Sequence, residues 1–464
     1  MKTNVLVIGG GPGGHVAAIK LAELGKKVTV VEKYKLGGTC LHQGCIPTKT
    51  MLYTSELLAE CSHAETIGLN VEHISVDMHK LQARKNQIIN NITTNLDQLI
   101  PAKGVELIRA NASLINEKEA LLLYPDGTEQ HIEFEQLILA TGSEPAIVNI
   151  PGAHLKGVIT SDEALCLESV PKEMVIIGGG VIGIEFAQML NRFGAKVTII
   201  EAAPKILPHM DQQLTQELAT LLEREGISIY TNAKVQEIQA LDDGKLTVSV
   251  DNQGQPLHLE ATQVLMAVGR KPLTHGFGLE NTQVAISRGA IDVNEQMQTN
   301  IEHIYAIGDC TGGYMLAHVA SAQGIVAAEN IAGQQSDYSS KTVPACVYTQ
   351  PEFASVGLTE EAAKKQYKTI KVGLSSLGDN AKTVIHNQTG LVKWIVDAQT
   401  ARIVGLHILG PRASDMIHEG ALSLTLNATY DDILGTIHAH PTISEGIHEA
   451  AEDLNQNAIY KLYQ

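Results

Sequence analysis

The chain has 464 residues, 44% of them apolar and 18% charged, the composition of a globular protein with several hydrophobic cores. No apolar run approaches the roughly 20 residues that cross a bilayer, and 51 acidic against 34 basic residues leave a net charge of -17, which repels nucleic-acid phosphate and anionic lipid. With 41 glycines and only 4% aromatic residues, backbone geometry in turns is the first place to look for function.

The opening segment, "NVLVIGGGPGGHVAAIKLAELGKKVTVVEK", reads as strand, glycine turn, amphipathic helix and strand, because a β-branched run gives way to a period of 3.6. Gly9, Gly11 and Gly14 have the GxGxxG spacing: the first permits the tight turn, the second lets backbone approach a pyrophosphate, and the third packs helix on strand. An anion would then rest on the helix N-terminus, and Glu32, closing the second strand, is placed to accept hydrogen bonds from ribose hydroxyls.

Cys40 and Cys45 follow directly in "YKLGGTCLHQGCIPTKT", between glycines and Pro47. There is no second close cysteine pair, so this is no zinc knuckle, and no metal site is expected. An ideal helix holds residues five apart beyond the roughly 7 Å that a disulfide tolerates. A bridge here needs a distorted turn, which Gly44 and Pro47 are the residue types to allow. Cys61, Cys166, Cys310 and Cys346 read as inert core filling, and six scattered cysteines are no secreted framework. Met1 stands too close to the first apolar run for a signal or transit segment, so a cytoplasmic address is expected.

The first pattern returns in "EMVIIGGGVIGIEFAQMLNRFGAKVTIIEA", where Gly178, Gly180, Gly183, Gly194, Lys196, Val197, Thr198 and Glu201 repeat Gly9, Gly11, Gly14, Gly25, Lys27, Val28, Thr29 and Glu32. A second echo links "LILATGSEP", with Thr141 and Gly142, to "VLMAVGRKP", with Gly269. Two dinucleotide-binding units in one chain imply that electrons pass between a held flavin and a mobile nicotinamide. A carboxylate at Glu201 accepts from a free 2′-hydroxyl and repels a 2′-phosphate. The stretch after it offers Lys205 but no arginine cluster, so NAD is favoured over NADP. The last segment, 341–464, has no glycine fingerprint and reads as strands such as "LVKWIVDA" and "RIVGLHIL", then helices such as 413–426. It also holds "HAHPTISE", in which an extended backbone would turn His438 and His440 to one face.

Together these motifs resemble the flavoprotein disulfide reductases, the pyridine nucleotide-disulfide oxidoreductase family, over essentially the whole chain. "GGTCLHQGCIPTK" looks like that family's redox-active disulfide, "LILATGS" and "IYAIGD" like its later FAD-contacting segments, and "HAHPTISE" like its catalytic segment. The forms "GGGVIGIE", "VGRKP", "MLAHVASAQGI" and HPTxSE most closely resemble the members that reoxidise dihydrolipoamide with NAD. The resemblance implies an α/β fold: two Rossmann-like dinucleotide-binding domains and a C-terminal α+β dimerisation domain. It implies an FAD domain at 1–148 and 275–340, an NAD domain at 149–274 between them, and an interface domain at 341–464.

The resemblance also assigns roles. Cys40 is the interchange thiol, Cys45 the flavin-facing thiol, and His440 the base, oriented by Glu445. Lys49 lies near the flavin with Glu185 as its countercharge, and Asp309 contacts the ribityl chain. Gly9, Gly11, Gly14, Glu32, Thr141, Gly142 and Ala317 complete the FAD set, and Gly178, Gly180, Gly183, Glu185, Glu201 and Gly269 make the NAD set. A homodimer is implied in which His440 of one subunit serves the site of the other. The implied partner is the lipoyl domain of an acyltransferase or a similar carrier, with an acidic face docking a basic subunit-binding module. His15, His42 and Thr48 depart from the pattern, standing where an aromatic, asparagine and serine are usual. Three rivals stand beside this reading. An NADPH-dependent disulfide reductase is opposed by Glu201 and Ile443. A mercuric reductase resembles a chain with an additional C-terminal cysteine pair, whereas this one ends "YKLYQ". A non-catalytic flavin-binding scaffold is opposed by the intact Cys40, Cys45, His440 and Glu445 set.

Overall fold

The computed structural model describes residues 1–463. Its first sheet is built from β1 (Lys2–Ile8), β2 (Val28–Glu32), β3 (Glu106–Arg109), β4 (Asn111–Asn116), β5 (Glu119–Leu123) and β6 (Glu129–Leu139), in the order β3-β2-β1-β6-β5-β4. The strands β1, β2, β3 and the end of β6 run parallel, and all of β2 is buried, as expected where a parallel sheet is covered on both faces. Helix α1 (Pro12–Glu23) connects β1 to β2; α2 (Gly38–His42), α3 (Cys45–Ser62) and the long α4 (Met78–Ala102) lie between β2 and β3.

The chain leaves this sheet through β7 (Ser143–Pro145) and builds a second one from β8 (Val158–Thr160), β9 (Glu173–Ile177), β10 (Lys196–Ile200), β11 (Ser228–Tyr230) and β15 (Gln263–Met266). The order is β11-β10-β9-β15-β8, all parallel. Its helices are α5 (Ser161–Ala164), α6 (Val181–Arg192) and α7 (Gln212–Arg224), and an antiparallel meander of β12 (Ala233–Ala240), β13 (Leu246–Asn252) and β14 (Gln255–Ala261) caps it. Returning through β16 (Arg270–Pro272), the chain pairs with β7, so the outgoing and incoming connections are laced together. After a hairpin, β17 (Ile286–Ser287) and β18 (Ala290–Ile291), strand β19 (Ile304–Ala306) joins the first sheet beside β6. Helix α8 (Ala317–Ile331) then packs on α1 so closely that a Cβ at Gly324 would lie 2.7 Å from the Gly13 carbonyl oxygen.

The C-terminal part is an antiparallel sheet of β20 (Ala345–Val347), β21 (Glu352–Gly357), β22 (Ile370–Ser376), β23 (Leu391–Asp397) and β24 (Ile403–Gly410), ordered β20-β21-β24-β23-β22. Its helices are α9 (Glu360–Gln366), α10 (Ala381–Ile385), α11 (Ala413–Thr425), α12 (Tyr430–Leu434) and α13 (Glu445–Asp453). The buried indole of Trp394 donates to the Ile447 carbonyl at 2.9 Å and pins α13 to β23.

One apolar cluster belongs to all three parts. It joins Met51 and Leu52 of α3, the core of the second sheet around Ile176 and Leu190, and Val347, Phe353 and Leu409 of the third. A buried charge cluster reinforces the contact: Lys393 of β23, 1% exposed, lies 3.1 Å from both oxygens of Asp211, the fully buried N-cap of α7, and 2.6 Å from Glu360. Removing one partner of such a pair strands the other without water. Lys393→Ala should therefore lower stability by about 3–5 kcal/mol, and Lys393→Met combined with Asp211→Asn by less; thermal melts of the three proteins that superimpose would contradict this.

Candidate active site

Each glycine turn does what its spacing demands. Gly9 and Gly178 have φ of +107° and +112°, which only glycine adopts without strain. A Cβ on Gly14 or Gly183 would sit 1.9 or 2.0 Å from the carbonyl oxygen of Gly9 or Gly178. Gly11 and Gly180 differ: a Cβ there would meet nothing closer than 3.9 Å at Gly11 and nothing within 4 Å at Gly180. These two residues cap the N-termini of α1 and α6, so each helix start, with its free N–H groups, opens onto a concavity where an anion can sit.

The repeat extends to side-chain hydrogen bonds. Glu32 accepts from the N–H of Gly10 and of Tyr34, both at 2.8 Å; Glu201 accepts from Gly179 and Ala203, both at 2.6 Å. Each carboxylate thus ties its glycine turn to the end of its own second strand. Gly142 and Gly269, with φ of +77° and +111°, end the echoing strands beside these turns. Thr141 donates to the Leu273 carbonyl at 2.7 Å. Asp309 accepts from Ser143 at 2.6 Å, and Arg270 donates to the same hydroxyl at 2.7 Å. Ala317 opens α8. Gln323 was not legible in the sequence: from inside α8 it accepts the Gly308 N–H at 2.7 Å and holds the turn that carries Asp309.

Cys40 lies in α2 and Cys45 starts α3, with Gln43 and Gly44 breaking the helix between them. This is the distorted turn that the pair requires. Gly44 allows it because a Cβ there would lie 3.0 Å from the Thr39 carbonyl oxygen and 3.4 Å from the Cys40 Cα. Both cysteines are free thiols in this structure, not the bridged form. The two sulfurs are strongly unequal. A hydrogen bond from Cys40 brings the Cys45 thiol down to about 7, against the opposing effect of burial, and the Lys49 ammonium adds to the lowering. The same bond, with burial, pushes the Cys40 thiol far up. The electrostatics of the site thus favour the thiolate at Cys45 and the thiol at Cys40.

Lys49, one turn after Cys45 on α3, points to the second domain. Its Nζ donates to both oxygens of Glu185, at 2.9 and 3.0 Å, and the Glu185 side chain is only 4% exposed. Glu185 lies on α6 just beyond the second glycine turn, so one ion pair connects the thiol segment to the second cradle. Of the departing residues, His42 reaches the Leu36 carbonyl at 2.9 Å, Thr48 donates to Gly44 at 2.6 Å, and His15 lies 3.4 Å from the Gly10 carbonyl, its ring pushed toward neutrality by burial. All three brace the loops around the pair and the first glycine turn.

In the C-terminal part, His440 Nδ1 donates to Glu445 at 2.9 Å, which leaves Nε2 as the basic nitrogen. Burial raises the Glu445 carboxyl, but the Thr442 N–H at 2.8 Å and His440 outweigh it and hold the group below the usual range. His438 does not share a face with His440, contrary to the extended-segment expectation. Its ring is drawn inward by Glu419 at 3.2 Å and packs edge-on against His448, whereas the His440 side chain is 73% exposed. Among the described residues, no hydrogen bond or ion pair joins His440 to Cys40 or Cys45 of the same chain.

Residues 3–324 match the family described as pyridine nucleotide-disulphide oxidoreductase, and residues 343–451 match its dimerisation domain. The chain belongs to this family of flavoprotein disulfide oxidoreductases and carries the means to form a homodimer. It is 39% identical over 453 residues to a dihydrolipoyl dehydrogenase of Bacillus subtilis, covering 95% of both chains. Among solved structures it is similar to LpdA from Mycobacterium tuberculosis, with a TM-score of 0.90 and 26% identity over 97% of this chain and 99% of that one. The HOCl-induced flavoprotein disulfide reductase RclA from Escherichia coli gives a TM-score of 0.86 and 28% identity over 98% and 99%.

The unequal thiols make a direct prediction. The ultraviolet thiolate absorbance of the reduced protein should rise with a midpoint near pH 7, the value to which Cys45 is lowered. Cys45→Ser should remove that transition, and Lys49→Met should move it upward because the cation favouring the charged form is gone. An unmoved midpoint in Lys49→Met would mean that the ammonium does not act on the sulfur.

Proposed function

We propose that the protein is a dihydrolipoyl dehydrogenase: it oxidises dihydrolipoamide to lipoamide through Cys40 and Cys45, with FAD in the first cradle and NAD in the second. The observation that carries the reading is the position of the thiol pair, fixed by Lys49 and Glu185 between two dinucleotide cradles. The two open glycine positions, Gly11 and Gly180, fit two pyrophosphates, and Glu201, with no arginine in the stretch that follows it, fits the free ribose of NAD. The substrate follows from the HPTISE segment and from full-length relatives bearing this enzyme's name. FAD would supply the electron relay between the sulfur pair and the nicotinamide.

The chain's own residues account for the sulfur chemistry. Starting from the Cys40–Cys45 disulfide, His440 of the partner subunit takes a proton from one substrate thiol through Nε2, while Glu445 stabilises the charge that the ring gains. The substrate thiolate attacks Cys40; the S–S bond breaks, and Cys45 leaves as a thiolate beside Lys49. The second substrate thiol then loses its proton as its sulfur displaces Cys40, closing the lipoyl disulfide; Cys40 leaves with that proton as a thiol, and the first proton stays on the partner's His440 until it passes to water. The result is the thiol–thiolate pair that the electrostatics of the site favour. We further place the enzyme in the cytoplasm. Its carrier is the lipoyl domain of an acyltransferase, whose basic subunit-binding module the acidic surface would dock in a salt-sensitive manner.

The visible spectrum is the first test. The purified protein should be yellow, gain a long-wavelength band with dihydrolipoamide, and then form NADH when NAD is added; Cys45→Ser should lose lipoamide turnover. A colourless protein, reduction by NADPH alone, or full turnover in Cys45→Ser would overturn the proposal. Sharing of sites between subunits is tested separately. His440→Gln and Cys45→Ser proteins, each inactive, should regain about one quarter of normal turnover after mixed refolding, because half the dimers are mixed and carry one intact site of two. No recovery would place His440 and Cys45 of one site on the same chain.

A further inference from the structure

The ion pair that joins the first two domains has a third contributor. Tyr348, directly after β20, donates its backbone N–H to Glu185 Oε1 at 2.9 Å, the oxygen that also accepts from Lys49. Its ring faces the same ammonium, with Lys49 Nζ 4.5 Å from the ring centroid. The ring cannot drift, because the backbone behind it is fastened to α6. Gln350 donates to Gln188 and accepts from it, both at 2.8 Å, and Arg192 reaches the Gln350 side chain at 2.8 Å. Glu185, Gln188 and Arg192 share one face of α6 at helical spacing and read the segment 348–350 in register.

We propose that Tyr348 is a positioning residue for the redox pair: its ring, supplied by the C-terminal domain, holds the Lys49 ammonium against Glu185 beside Cys45. The inference rests on the reading of Cys45 as the working thiolate. An ammonium over an aromatic face is held by the ring quadrupole, and the attraction grows as water is excluded. Lys49 is one-third exposed and Tyr348 37% exposed, so the ring acts by keeping the ammonium close to the sulfur, where its charge favours the thiolate. The charged and titratable groups around Cys45 and the ring are Cys40, Lys49 and Glu185 from the first two domains and Cys346 and Glu352 from the third. Lys49 is the only cation among them, so its placement decides the balance. Burial among these groups also raises the Tyr348 phenol to about 12, so the ring remains neutral while Cys45 titrates.

The test uses the flavin-loaded dimer reduced with one equivalent of dithionite, following the long-wavelength thiolate–flavin absorbance against pH. Tyr348→Leu should move the midpoint upward by about half a pH unit, since an ammonium no longer held beside the sulfur stabilises the thiolate less. Tyr348→Phe keeps the ring and should restore the parent midpoint. Should the leucine variant fail to fold, Tyr348→Met fills similar space without an aromatic face and should show the same upward shift. An unmoved midpoint in the leucine or methionine variant, or an equal shift in the phenylalanine variant, would overturn the role of the ring. If the parent protein shows the titrating band but no lipoamide turnover, the proposed substrate fails while the inference about Tyr348 stands.

Discussion

Lys49 and Glu185 form the contact on which the arrangement depends. A carboxylate that is 4% exposed on α6 has lost most of its water, and the ammonium that compensates it comes from α3, the helix that Cys45 begins. The buried carboxylate is not tolerable alone, so α3 and α6 must approach in one register. That register fixes the sulfur relative to the second glycine turn, just before Glu185 on the same helix. The apolar cluster around Met51, Ile176 and Phe353 supplies non-directional adhesion for the same three parts, and the ion pair gives it direction.

Much of this was legible because it is local. A glycine turn depends on residues a few positions apart, and so does the CxxxxC segment with its broken helix at Gly44. The internal repeat was visible as matched letters from Gly9 to Glu32 and from Gly178 to Glu201, and it proved to include the hydrogen bonds of both carboxylates. The pairing of Lys49 with Glu185 came from family likeness, because nothing in spacing relates residues so far apart on the chain; that of His440 with Glu445, five residues on, came from the same likeness.

What escaped the sequence was set by tertiary contact. Lys393 sits in "LVKWIVDA", an otherwise apolar strand, where a lone lysine reads as a solvent-facing position; instead it is buried against Asp211 across a domain boundary and against Glu360 of its own part. Gln323 stands inside "MLAHVASAQGI" without a role that spacing could assign, Tyr348 stands in no quoted motif, and their partners, Gly308 and Lys49, are brought to them only by folding. His438 was misread for a related reason. The alternation rule holds for a regular extended strand, and Glu419 and His448 draw this ring out of that pattern.

The doubled duty of Glu201 limits how the second cradle can be re-engineered. On the proposed reading a carboxylate there is the obvious position to exchange when a different nucleotide is wanted, since it would meet the 2′-substituent. Yet its two oxygens also close the glycine turn through Gly179 and Ala203. A simple charge reversal would leave two backbone donors without their acceptor and slacken the loop meant to receive the new ligand. Any successful exchange must bring a substitute acceptor for those N–H groups, so coenzyme choice and loop stability must be altered together.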